Sequence, residues 1–164
     1  MDICLKKQVD FVLIAGDLFN TPSPDLAIVE IAVRKMKELK DAGTEFYMIL
    51  GSHDYNPNAK SITDVLSSAG FVATIMNYED KDERLILNFV RDPKTGTLLA
   101  GLSGKRRGED AEDLAKLDTC YIQRETGFKI FAFHNYVRGI APSEIPGIPS
   151  TSILLIYCLI LALA

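Results

Sequence analysis

Two carboxylates and two imidazoles carry whatever chemistry this chain performs. Asp17 follows Gly16, and the pair closes an apolar run at residues 9–15. Gly51-Ser52-His53-Asp54 closes a second run at 45–50. His134 closes a third at 128–133, and His53 and His134 are the only histidines. A carboxylate can bridge two hard or borderline cations. Carboxylate plus imidazole suits manganese, iron or zinc in a hydrolytic site. For each cluster alone a plainer reading stays open, with Gly-Asp a strand-to-turn transition and each histidine a satisfied polar group. The order of all three, each at the end of an apolar run, favours a site.

The elements that must position these residues follow from the pattern. Residues 1–8 read as the last turns of a helix. The run at 9–15, nearly all apolar and bounded by turns, suits a central strand covered on both faces. Ser23 is the expected N-cap and Pro24 the first helical position of the next helix. That helix carries Leu26, Val29, Val33, Met36 and Leu39 on one stripe, with Gly43 as its stop. Residues 45–50 form the second strand. Ser61-Ile62-Thr63-Asp64 resembles a capping box that opens a short helix closed by Gly70, and 71–76 form a third strand. Residues 84–90 and 97–102 flank a hairpin loop at 92–96. A polar helix at 109–117 and a strand at 128–133 follow. Alternating strands and helices argue for an α/β fold, and the hairpin makes its sheet mixed. Sites in such folds form at the carboxyl ends of strands, which is where all three clusters stand.

Composition bounds the classes. The 164 residues are 48% hydrophobic and 24% charged, which excludes a disordered chain and suits one domain. Net charge is −4, so nucleic-acid binding needs a local patch or a metal. Lys105-Arg106-Arg107 is a compact basic loop that suits DNA phosphates or simply faces water. Tyr55 and Asn56 follow the turn at 51–54 and suit the rim of a site there, or Tyr55 packs beside the loop. Cys4, Cys120 and Cys158 are far apart, which argues against a disulfide framework or structural zinc and for a reduced, cytoplasmic setting. The start has no signal-peptide pattern. Residues 153–164 are apolar throughout but shorter than the roughly 20 residues of a spanning helix. A greasy tail, sequence from a shifted reading frame, and a membrane anchor are the three readings, with membrane attachment not expected.

The string Leu13-Ile14-Ala15-Gly16-Asp17-Leu18-Phe19, then Gly51-Ser52-His53-Asp54, then Phe133-His134, resembles the calcineurin-like metallophosphoesterase superfamily. That family carries the ordered motifs DxH, GD, GNH(D/E), H and GHxH. Within it the chain is most similar to SbcD/Mre-eleven-type DNA repair exonucleases, in which GDLF, a GNHD turn and a later H-x-x-V segment recur at similar separations. The resemblance covers about residues 1–150. It implies an α/β mixed-sheet sandwich and two divalent metal ions, Mn²⁺ foremost. It makes Asp17 the bridging carboxylate, Ser52 a metal ligand in place of the family's Asn, and His134 a ligand of the second metal. His53 would contact the phosphate and assist the leaving group, and Asp54 would orient His53. The implied partners are DNA, a second copy of the chain and an SMC-like ATPase.

Three departures qualify this. No DxH precedes Gly16-Asp17, no GHxH follows His134, and Ser52 replaces Asn. The expectation is a fold incomplete at both ends: a partial phosphoesterase domain at 1–150, begun at an internal Met, and an apolar tail at 151–164, for which a shifted reading frame is one of the readings. Weak or absent activity is expected of the chain as written. The alternatives are another metallophosphoesterase, acting on cyclic nucleotides or phosphomonoesters, and an inert degenerate fragment.

Overall fold

Strands β1 (Phe11–Ala15) and β2 (Glu45–Ile49) run parallel, with Ala15 opposite Ile49. In a computed structural model that describes residues 1–54, 60–104, 110–134 and 158–159, this pair is the seam between two cores. Side chains alternate along a strand, so β2 divides its own. Phe46 and Met48 join Val29, Met36 and Leu39 of helix α2 (Leu26–Asp41) and Leu66 of α3 (Ile62–Ser68). Helix α1 (Asp2–Lys7) packs Cys4 and Leu5 against the same core. Tyr47 and Ile49 turn the other way, onto Ile75, Leu99, Ile130 and Ala132. The first sheet is completed by β3 (Ala73–Thr74), parallel to β2.

A hairpin follows, exposed β4 (Tyr78–Lys81) with β5 (Arg84–Leu87). The second sheet runs in the order β6 (Val90–Arg91), β7 (Leu98–Leu102), β8 (Lys129–Phe133), β9 (Cys158–Leu159). Its central pair is parallel and its outer pairs antiparallel. On its outer face, Ala100 and Leu102 are covered by Leu85 and Leu87 of the hairpin. Leu114 of α4 (Asp110–Ala115) and Ile122 of α5 (Thr119–Arg124) complete that layer. The result is the expected α/β mixed-sheet sandwich, helices outside on one face and a hairpin with short helices on the other. Burial decides its stability. Each fully buried large apolar side chain contributes about 1.5–3 kcal/mol, whereas exposed ion pairs such as Lys37–Asp41 contribute about 0–1.

Several local expectations change. The cap of α2 is Asp25, whose carboxylate accepts from the Ala27 amide at 2.8 Å, not Ser23. Ser23 precedes Pro24, which steers it away from helical conformation. Leu26 opens the helix ahead of the part that lies on the sheet, so it is 78% exposed rather than core. Residues 84–90 break after Leu87 into two strands belonging to different sheets. The third strand shrinks to two residues, and the polar helix to Asp110–Ala115. The Ser61–Asp64 capping box forms as expected. Cys4 and Cys120 are free thiols. Among the described residues no helix is long and apolar enough to cross a membrane. Tyr55, Asn56, Lys105–Arg107 and all of the 151–164 tail except 158–159 lie outside the described residues.

Candidate metal centre at the strand ends

The chain leaves β1 through two left-handed residues, Gly16 (φ 91°) and Asp17 (φ 50°). Glycine adopts this backbone freely, whereas a residue with a Cβ gives up about 1–2 kcal/mol. Hydrogen bonds from the β2 end offset that cost. The Asp17 amide donates to Asp54 Oδ2 at 2.7 Å, and the Gly51 amide donates to the same oxygen at 2.9 Å. In return the His53 amide donates to Asp17 Oδ1 at 2.9 Å. Each loop's carboxylate therefore holds the other loop's backbone. Hydrogen bonds to charged groups are worth about 1.5–3 kcal/mol, enough to hold Asp17 in its unusual conformation. Burial pushes the Asp54 carboxyl above its ordinary value, while the Gly51 and Asp17 amides pull it back.

His134 comes in from the end of β8. Its Nδ1 lies 2.9 Å from the Ala15 carbonyl oxygen, which can only accept, so Nδ1 carries a proton. In the neutral ring the lone pair then sits on Nε2. That nitrogen is 3.4 Å from Asp17 Oδ2, an oxygen buried without any hydrogen-bond partner. Two acceptors face each other across that gap. Such a pair calls for a cation, either a proton on Nε2 or a metal ion. Metal-binding histidines characteristically donate their other ring N–H to a carbonyl or carboxylate, as His134 does here.

Glycines make the approach possible. A Cβ on Gly16 would stand 2.6 Å from His134 Nδ1, and one on Gly104, just beyond β7, 2.7 Å from His134 Cδ2. A Cβ on Gly51 would overlap the Asp17 carboxylate. The Gly104 amide donates to Leu50 O at 2.8 Å, tying the two sheets together beside the site. Gly104, the residue before the basic loop Lys105-Arg106-Arg107, is not among the residues that the sequence pattern marks for the site. The available signal was its position: like Gly16 and Gly51, it follows closely on an apolar strand.

The structure thus brings Asp17, Asp54, His134 and the backbone of His53 together, with Ser52 half-buried in the same turn. The His53 ring is the outlier. It is exposed, and its Nδ1 meets Asn20 O at 3.0 Å. Asp54, expected to orient that ring, instead engages the amides of Asp17 and Gly51, and the ring is held by the Asn20 carbonyl. Among the described residues no group of three or more Asp, Glu, His or Cys side chains is placed to hold a metal ion. Asp17 and His134 offer donor types that suit one borderline divalent cation and fall short of a full set for two.

This chain belongs to the calcineurin-like phosphoesterase family, which it matches over residues 1–142. Members of that family generally use two divalent metal ions. More particularly, the chain is 35% identical over 82 residues to the DNA double-strand break repair protein Mre11 of Saccharolobus solfataricus, covering 48% of this chain and 21% of that protein. It is 41% identical over 54 residues to the protein of the same name from Sulfurisphaera tokodaii, covering 33% of this chain and 14% of the relative. An uncharacterized metallophosphoesterase, YhaO of Bacillus subtilis, is 33% identical over 55 residues, covering 34% of this chain and 14% of its own. The chain spans about a fifth or less of the length of these relatives.

Proposed function

We propose that this chain carries the core of a phosphodiester-hydrolysing centre of the DNA double-strand-break repair type. Asp17, Ser52 and His134 hold a divalent cation, Mn²⁺ by preference, and His53 is the general acid. The observation that carries this reading is the pair of facing acceptors, Asp17 Oδ2 and His134 Nε2, 3.4 Å apart at the carboxyl ends of β1 and β8. A cation held by them supplies polarisation of a phosphate oxygen and a more acidic bound water. The protein's own residues do the rest. Asp17 keeps its carboxylate aimed at His134 because His53 and Asp54 fix the turn around it. A protonated His53 ring, held at Nδ1 by Asn20 O, has an Nε2 proton to give to the departing oxygen.

The names of the archaeal relatives support DNA as the substrate. On this reading the partners are duplex DNA, a second copy of the chain and an SMC-like ATPase in the cytoplasm, and residues 1–150 form the phosphoesterase unit. Three donors are few for two cations, so hydrolysis by this chain is expected to be slow. Calorimetric and paramagnetic-resonance titration with Mn²⁺ tests the reading, alongside cleavage of linear duplex DNA and bis-p-nitrophenyl phosphate. Saturable binding and slow diester cleavage are expected, and Asp17→Asn abolishes both. The variant keeps its melting temperature, because an asparagine there can still accept from the His53 amide and can donate to His134 Nε2. Absence of Mn²⁺ binding by the unsubstituted chain, or unchanged affinity in Asp17→Asn, overturns the reading.

A further inference from the structure

We infer that Asp54 is a positioning residue for Asp17: one buried carboxylate oxygen clamps the β1 and β2 loops and so aims the Asp17 side chain at His134. The consequence for metal binding rests on the function proposed above, but the geometry does not. Asp54 is 2% exposed, and its Oδ2 accepts both the Asp17 amide (2.7 Å) and the Gly51 amide (2.9 Å). Those amides leave β1 and β2, neighbouring parallel strands, at the point where both chains turn. Asp17 sits at φ 50°, directly after Gly16 at φ 91°. The Asp17 amide would lack this acceptor if Asp54 were removed. Buried amides without partners are rarely tolerated. The residue at 17 would then relax toward an ordinary right-handed or extended backbone, which carries its carboxylate away from His134 Nε2.

The clamp is reciprocal. Asp17 Oδ1 accepts the His53 amide one residue before Asp54. Asp54 makes its own turn through its amide to Gly51 O at 3.3 Å. The two loops therefore lock as a unit, and either carboxylate is needed for the other's placement. The His53 ring takes no part in this. It is held by the Asn20 carbonyl, so Asp54 acts on the candidate metal ligand and not on the candidate acid.

The test compares Asp54→Ala, which removes the acceptor, with Asp54→Asn, which keeps one. Two readouts are taken on the whole chain: amide hydrogen exchange at Asp17 and Gly51, and Mn²⁺ affinity. In Asp54→Ala, exchange at those two amides speeds up while amides inside β2 and β7 keep their protection. Mn²⁺ affinity falls about 10–100-fold, as for other residues that orient a ligand. Asp54→Asn restores most of both. Unchanged exchange and affinity in Asp54→Ala overturn the inference, as does equal loss in the two variants, which would make charge rather than the clamp responsible. If the unsubstituted chain binds no Mn²⁺, the function proposed above fails, and the exchange at Asp17 alone decides the clamp. If Asp54→Ala does not fold, Asp54→Asn decides: lost protection at the Asp17 amide refutes the clamp, and retained protection supports it.

Discussion

Replacing Gly104 with alanine tests whether close approach of the backbones builds the site. Gly104 does not use the left-handed backbone, so alanine suits its conformation and only the added Cβ counts. That atom would stand 2.7 Å from His134 Cδ2, 3.0 Å from His134 O and 3.2 Å from His134 Cβ. None of these is the far end of a flexible side chain, and the ring is tethered at Nδ1 to Ala15 O. Either the ring turns or the ends of β7 and β8 part. Overpacking of this kind costs about 1–3 kcal/mol. A chain of this size loses about 2–4 °C of melting temperature per kcal/mol, so a drop of about 2–12 °C is expected by calorimetry. A displaced ring also removes Nε2 from its place opposite Asp17 Oδ2, and Mn²⁺ affinity falls about 10–100-fold. Gly43→Ala is the control. Its Cβ would meet nothing within 4 Å but would sit at φ 83°, so it loses stability without touching the site. Wild-type melting and Mn²⁺ affinity in Gly104→Ala would refute the reasoning, and so would an equal loss of affinity in Gly43→Ala.

His53→Ala spares Mn²⁺ binding, because the bond to Asp17 Oδ1 comes from the His53 backbone amide and survives the substitution. Turnover of bis-p-nitrophenyl phosphate falls instead, by about 10²–10⁴-fold if the ring is the general acid. Away from the site, Tyr47 donates its hydroxyl to the fully buried Asp92 at 2.8 Å, so Tyr47→Phe costs about 1.5–3 kcal/mol in urea unfolding. Burial pushes the Asp92 carboxyl up, but the Thr95 hydroxyl and amide, the Tyr47 hydroxyl and the Lys94 amide together hold it below its ordinary value. A carboxyl depressed by folding adds stability above its unfolded value and loses it as pH falls through the folded one. Urea midpoints followed through that acid range should therefore drop more steeply for the unsubstituted chain than for Asp92→Asn.

What the sequence reveals and what it hides divide along one line: whether a residue's neighbours in the chain decide its conformation. The strands at 11–15, 45–49 and 98–102 are legible because only Glu45 interrupts their apolar residues, but β1, expected to be central and covered on both faces, pairs with β2 alone among the described residues and is half-buried up to Ala15. The Ser61–Asp64 box is legible because its bonds lie within four residues. Strand β4 is not. Its four residues, Tyr-Glu-Asp-Lys, are all exposed and show no alternation, and its turn uses Asp82 and Glu83 at positive φ where asparagine and glycine are the usual signal. The hairpin stands because the apolar side chains of β5 have a sheet to cover. Helix α5 is hidden for a related reason, six residues started by the Asp118 side chain and held by contact with β5.

The site obeys the same division. That Asp17, His53 and His134 follow strands is a local fact, and the parallel β1 and β2 bring their carboxyl ends to one edge without further instruction, whereas β8 reaches it from the second sheet. Which atoms then meet is a tertiary fact. The Asp54 carboxylate reaches back 37 residues to the Asp17 amide, and the His134 ring reaches back 119 to Ala15 O. Neither bond has a spacing rule, so the resemblance gave Asp54 the adjacent His53 ring as its expected partner, whereas its carboxylate holds the amides of Asp17 and Gly51. The glycines are the exception that sequence could have supplied. Strand ends that converge on one crevice crowd their backbones there, and crowding favours a missing Cβ. Gly16, Gly51 and Gly104 each follow a strand by one or two residues, and each would strike Asp17 or His134 if it carried a side chain. A glycine just past a buried strand is thus a marker of convergence. Together the three place the β7 end at the site from sequence alone.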